Sequence, residues 1–284
     1  MKKAPFHYLP IIGITFTLLL TACDPITLPV RDDAPLSEET RQHYRMGLRY
    51  TNGTDVPQNY GKAADLFKEA ALAGHIDAQY MLGIAHSTGR GVGVNQRKAV
   101  HWFEKAAAKG QKRAQYQLGE SYMNGRGAEK DSAWGARWYG LSANQGHTLA
   151  QRSLGVAFIK GLGVPVNLIN ATIWLRLADK SGDGLAGKLL QKMQQTVDSE
   201  SYGAAITHTE AWRARKMAGY DNRPTIRYLQ YTLSKLGYRP GYADGILGPK
   251  TKDAVGHFLD KNGHANDLTL EEVIELLREE SPSL

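Results

Sequence analysis

The residues best suited to chemistry in this sequence are few and far apart. Cys23 is the sole cysteine among 284 residues, so it is the only thiol and no disulfide can form within the chain. Neither a His-Glu-x-x-His helix nor a Gly-x-Ser-x-Gly elbow occurs. His75 and His147 occupy matching loop positions, but no second ligand pair has zinc-type spacing, so both read as turn residues. Tyr238, Arg239, Tyr242 and Lys250 gather around one Gly- and Pro-punctuated stretch near the C-terminal end. Aromatic rings there could stack on sugar faces, and the cations could pair with carboxylates. Tyr80 and Tyr116 recur at a 36-residue step and could line a recognition surface, although packing between helices is the favoured use. These residue types bind. They do not suggest turnover, and no catalytic residue, metal or cofactor is expected.

The N-terminal residues explain the single cysteine. Lys2 and Lys3 precede an apolar stretch, Leu9 to Leu20, that is short for a spanning helix and has the layout of a signal peptide. The stretch ends Leu20-Thr21-Ala22-Cys23, which resembles a bacterial lipobox. That resemblance implies removal of residues 1–22 and acylation of Cys23. Each buried CH₂ of an acyl chain contributes roughly 0.8 kcal/mol, so several chains on one cysteine hold a protein to a membrane. Asp24 resembles the enterobacterial signal for inner-membrane retention. Residues 23–41, with Pro25, Pro29 and Pro35, read as an extended tether. The formal charge of +7 includes Lys2 and Lys3 and suits an anionic polymer or membrane face. No dense basic run points to nucleic acid.

The middle of the chain repeats itself. Gly53, Gly89, Gly125 and Gly161 are spaced by 36 residues, as are Gly47, Gly83, Gly119 and Gly155. Gly74, Gly110, Gly146 and Gly182 keep the step, and so do Ala78, Ala114, Ala150 and Ala186. Leu66, Trp102, Trp138 and Trp174 share another position, read as core. Within a unit, Ala78, Leu82, Gly83 and His86 give helix A one face, and Ala99, Trp102, Phe103 and Ala106 give helix B a stripe. A mid-helix glycine costs about 1 kcal/mol relative to alanine, so its recurrence implies a close neighbour. Asn59, Asn95, Asp131 and Asn167 are suited to cap helix B. Such a pair cannot bury its stripe alone; four of them, 42–77, 78–113, 114–149 and 150–185, stack into a continuous core. Residues 186–216 continue as a helical cap.

The pattern Ala-Gln-Tyr-x-Leu-Gly, then Gly-x-Gly, then Trp-Phe/Tyr and Ala-x-x-Gly resembles Sel1-like repeats, relatives of tetratricopeptide repeats. The resemblance implies an all-α, right-handed α-solenoid over residues 42–216 that binds partner proteins. The first unit departs from it, with Asp55 at the second glycine, and the fourth lacks the tyrosine.

A different pattern follows a linker at 217–223. Ile226, Leu229, Leu233 and Leu236 make one helix face; Gly248-Pro249 opens a second helix with Ala254, Val255 and Phe258 inward. Thr269-Leu270-Glu271-Glu272 is a capping box for a third. Leu229-Gln230, Leu236-Gly237-Tyr238, the run Asp244 to Thr251, Ala254-Val255 and Phe258 look like the three-helix peptidoglycan-binding domain of cell-wall enzymes. The domain is expected over 224–284, with Leu259 where that family usually has glutamine. Together these resemblances imply a lipoprotein of the bacterial cell envelope, in the periplasm, with Asp24 pointing to the inner membrane. Its partners would be peptidoglycan, one or more envelope proteins and the membrane. The alternative is a mechanical membrane-to-wall tether with the solenoid as spacer.

Overall fold

The computed structural model describes residues 35–211, 223–241, 243, 245–265 and 268–280. Cys23, the signal segment, most of the tether, Tyr242, Asp244 and the 217–222 part of the linker lie outside the described residues. Thirteen helices and no strand occur among the described residues. None of these helices is long and apolar enough to cross a membrane.

Four helix pairs come first: α1 (Glu38–Asn52) with α2 (Tyr60–Leu72), α3 (Ile76–Thr88) with α4 (Gln96–Ala108), α5 (Lys112–Asn124) with α6 (Ser132–Asn144), and α7 (Thr148–Lys160) with α8 (Leu168–Lys180). The odd member of each pair is helix A, the even member helix B. Each helix B begins at its expected cap: Asn59, Asn95, Asp131 and Asn167 accept from the backbone N–H three residues on, at 2.8–3.0 Å. These bonds satisfy an N–H that the helix itself cannot. Gly53, Gly89, Gly125 and Gly161 end each helix A in the left-handed region.

The mid-helix glycines do have a close neighbour. A Cβ at Gly47, Gly83, Gly119 or Gly155 would stand 2.6, 2.5, 2.5 or 2.8 Å from Phe67, Phe103, Tyr139 or Leu175. So within each repeat a helix B side chain lies flat against helix A where helix A has no side chain. That column is more deeply buried than the expected one beside it. Trp138 and Trp174 are buried, while Leu66 and Trp102 are only half-buried.

Two further ladders join each repeat to the next. Buried Gln79, Gln115 and Gln151 donate to the carbonyls of Ala71, Ala107 and Ala143, at 3.1, 3.2 and 3.2 Å. Those carbonyls belong to the last turn of the preceding helix B, where the glutamine amide shares each with the N–H of Gly74, Gly110 or Gly146. The second glycine of each Gly-x-Gly turn sits against the start of the preceding helix B. A Cβ on Gly91, Gly127 or Gly163 would fall 1.9, 2.2 or 1.9 Å from the carbonyl oxygen of Tyr60, Gln96 or Ser132. Asp55, the first-repeat counterpart, also has positive φ, at 59°. It has no preceding helix B to meet, which is why a side chain is tolerated only there.

After the fourth repeat, α9 (Gly184–Gln194) and α10 (Ser199–Ala211) continue the stack, both packed on α8. Ala186 and Ala205 are fully buried in this cap. The C-terminal helices are α11 (Arg223–Lys235), α12 (Pro249–Lys261) and α13 (Leu270–Glu280). Pro249 stands in the first turn of α12, and the Thr269–Glu272 capping box is closed by a reciprocal pair of bonds, 2.7 and 3.3 Å. Leu229, Leu233, Phe258, Ile274 and Leu277 form the core of this three-helix unit. Leu259 is 2% exposed and joins that core, so the position that could have carried a glutamine is apolar interior.

Candidate functional site

The surface richest in binding groups is the loop between α11 and α12. Its shape comes from a buried clamp. Gln230 Nε2 donates to the Ile246 carbonyl (3.1 Å) and to Thr251 Oγ1 (3.0 Å), and its Oε1 accepts from Gly245 N–H (2.9 Å). Thr251 in turn donates to the Pro240 carbonyl at 3.0 Å. Both side chains are about 2% exposed, so these bonds are shielded from water and hold the loop at both ends.

The clamp sets what the loop presents. Arg239 and Lys250 project into solvent. Tyr238 is half-buried, edge-on to Phe258 at 5.8 Å, with Lys261 Nζ 5.8 Å from its ring. Its ring is thus partly used in packing. Ile246 is 63% exposed at the loop tip. Sequence reasoning does not single it out, because it stands inside the Asp244–Thr251 run, which reads as one motif. The loop therefore offers two cations, one apolar side chain and the edge of a phenol. This set suits an anionic polymer that also has apolar faces.

Tyr80 and Tyr116 are not brought to this loop or to one another. Each is half-buried and packs against helix B of its own repeat. Tyr80 leans on Phe103 at 6.1 Å, and Tyr116 stacks on Tyr139 at 5.8 Å and on His147 at 5.0 Å. Tyr44 completes the column by stacking on His75 at 4.2 Å. In the fourth repeat, Arg152 stands at the tyrosine position and bonds Asp183 at 2.6 Å, where the earlier junctions have histidine or glutamine. The two partners change together, and the junction is kept.

His75 and His147 cap helix A of the next repeat: each Nδ1 accepts from a backbone N–H, of Ala78 and Ala150, at 3.3 Å. Burial holds both imidazoles below their usual pKa, His147 at about 4 with help from nearby Lys112 and Arg113. Each is therefore neutral near pH 7, as an Nδ1 acceptor must be. Among the described residues no cluster of three His, Cys, Asp or Glu could hold a metal.

The C-terminal helices also touch the solenoid. Arg137 on α6 is 5% exposed; its Nε donates to Thr225 Oγ1 (3.0 Å) and its Nη2 lies 3.5 Å from Glu271. The same guanidinium covers Trp134 and Trp138, at 4.3 and 4.6 Å. Arg278 on α13 lies 4.4 Å from the Trp134 ring centre and donates to Tyr122 Oη at 3.2 Å. Burial, then Glu104, pushes the Tyr122 hydroxyl up to about 12, so it stays a neutral donor to Glu104 Oε1 at 2.9 Å. Tyr228 on α11 stands edge-on to Trp134 at 4.9 Å.

Comparisons with known proteins agree with this architecture. The Sel1 repeat model matches residues 43–75, 76–111, 112–147 and 148–183. The model described as "Putative peptidoglycan binding domain" matches residues 222–265. Among solved structures, a Sel1 repeat protein from Oxalobacter formigenes is similar with a TM-score of 0.52 and 27% identity, over 63% of this chain and 72% of that one. The protective antigen c5321 of uropathogenic Escherichia coli, which displays an SLR fold, is similar with a TM-score of 0.55 and 27% identity. That likeness covers 86% of this chain and 54% of the antigen. No curated protein matches significantly. With four units that share glycine and capping positions, three of them joined to the unit before by a buried glutamine, and a three-helix domain after them, the chain carries four Sel1 repeats followed by a C-terminal peptidoglycan-binding domain.

Proposed function

We propose that this protein is a membrane-anchored scaffold of the bacterial cell envelope, holding peptidoglycan through the α11–α12 loop and protein partners through its repeats. The observation that carries the reading is the clamped loop, with Arg239, Lys250 and Ile246 in solvent on a domain of the peptidoglycan-binding family. Peptidoglycan offers stem-peptide carboxylates to the cations and sugar faces to the apolar groups and to Tyr238, and Tyr242 is a further candidate by its place in the sequence. On the solenoid, the solvent-facing edges of Tyr80 and Tyr116 are candidate partner contacts. Acylation of Cys23 would fix the chain to the membrane, and Asp24 favours the inner one.

The wall claim is tested by cosedimentation of the chain with purified sacculi. Binding should weaken as salt rises, and Arg239→Ala with Lys250→Ala should reduce it several-fold. A chain that stays in the supernatant at low salt refutes the claim. The anchor is tested by Cys23→Ser, which should move the protein out of the membrane fraction. Affinity purification with and without residues 42–216 separates scaffold from tether: if no partner depends on the repeats, the solenoid is a spacer.

A further inference from the structure

The outer positions of helix B are exposed in the first two repeats and covered in the third and fourth, by different elements. Take the position that is Lys62, Lys98 and Asn170 in the first, second and fourth repeats: in the third it is Trp134. Where the others have Asp65, His101 and Ile173, the third has Arg137, and where they have Lys68, Glu104 and Arg176, it has Gly140. In the first two repeats all of these side chains are exposed. In the third, the same three positions are buried, and each meets the C-terminal helices. Trp134 faces Tyr228 and Arg278, and Arg137 bonds Thr225 and approaches Glu271. A Cβ at Gly140 would lie 2.8 Å from the ring of Pro224, so a side chain there would displace the start of α11.

From this register we infer that the helix B face of the third repeat is a dedicated dock for the chain's own peptidoglycan-binding domain. In the first two repeats, where nothing covers this side of helix B, the positions are exposed; in the fourth, where α10 packs on α8, Ile173 is buried. A tryptophan, a buried arginine and a glycine are thus the residues of a covered face, and apart from Tyr122 beside Trp134 the cover here is α11 and α13. A buried guanidinium is costly unless its donors are met, and here the partners lie on the other domain. The dock acts through the N-terminal half of α11, which carries Pro224, Thr225 and Tyr228. The clamp residue Gln230 follows on the same helix and holds the loop on its far side. The solenoid and the wall-facing loop therefore move as one body. A protein partner must use other faces, since this one is filled. The inference does not depend on what the loop binds.

The test places second-repeat residues in the third repeat: Trp134→Lys, Arg137→His and Gly140→Glu together, in the full chain. These side chains already occur at the same positions of the same fold, so the repeat should remain helical. Amide hydrogen exchange would be followed by mass spectrometry. Peptides covering α11 and the C-terminal half of α13 should exchange at least tenfold faster, with α1–α4 unchanged. Small-angle scattering should show a larger radius of gyration. Tyr228→Ala is the second variant, because it opens the dock from the other side without altering the solenoid. It should give the same exchange pattern, more weakly. Unchanged exchange in α11 and α13 in both variants overturns the inference. So does a variant in which α5–α8 loosen as much as α11, because the residues would then serve the repeat and not the dock.

Discussion

Two glycines in one turn separate conformational strain from steric exclusion. Gly125 and Gly127 both have positive φ, 68° and 78°. Alanine in that region costs about 1–2 kcal/mol at either position. Their surroundings differ. A Cβ on Gly125 would meet its nearest atom, Lys130 Cβ, at 3.4 Å, an ordinary contact. On Gly127 it would lie 2.2 Å from the Gln96 carbonyl oxygen and 2.4 Å from the carbonyl carbon, and backbone cannot swing aside. Restoring a normal separation needs about 1 Å of movement between the second and third repeats. Overpacking of this kind costs about 1–3 kcal/mol. Gly125→Ala should therefore lose about 1–2 kcal/mol, and Gly127→Ala about 2–5 kcal/mol. In a stack stabilised by nearest-neighbour interfaces, the second loss falls on one junction. Urea denaturation followed by circular dichroism should thus show a lower midpoint for Gly127→Ala and a broader transition, as the halves uncouple. Equal destabilisation by the two variants would refute the view that the Gly-x-Gly turn is an inter-repeat contact.

Three more expectations follow from the same geometry. Asp55→Gly should be neutral or stabilise by up to about 1 kcal/mol in thermal melts, since it relieves positive φ and gives up only an exposed 3.7 Å pair with Arg49. His147 is held at about 4, below its unfolded value near 6.5, so its neutral cap contributes fully above pH 6.5. The unfolded chain takes up that proton first, and stability falls as pH drops from 6.5 towards 4, by about 1–2 kcal/mol after allowance for solvent. His147→Asn should keep the cap and flatten that slope between pH 7.5 and 5 in urea titrations. Gln230→Ala should cost about 2–4 kcal/mol, because Gly245 N–H and two acceptors lose a buried partner. It should raise amide exchange across residues 240–251 and abolish retention on sacculi.

The solenoid was legible because a repeat reports its own constraints. Glycine columns, caps and the Ala-Gln step are local, and four copies turn each weak signal into a strong one. The tryptophan column showed where burial is only partial: half-buried Leu66 and Trp102 share a position with buried Trp138 and Trp174, since exposure depends on what later packs outside helix B. Ile246 was overlooked for the opposite reason, as an apolar residue whose neighbours fold away from it.

The residues alone decided the period, the helix pairs, their caps and the three-helix end, because these follow from turn chemistry and hydrophobic spacing within about forty residues. Only the tertiary structure decided which glycines exclude a side chain and why Asp55 escapes that rule. It also decided that Trp134, Arg137 and Gly140 face α11 and α13, 84 or more residues further along the sequence. Burial across such separations is set by which surfaces meet, and no local pattern encodes the meeting.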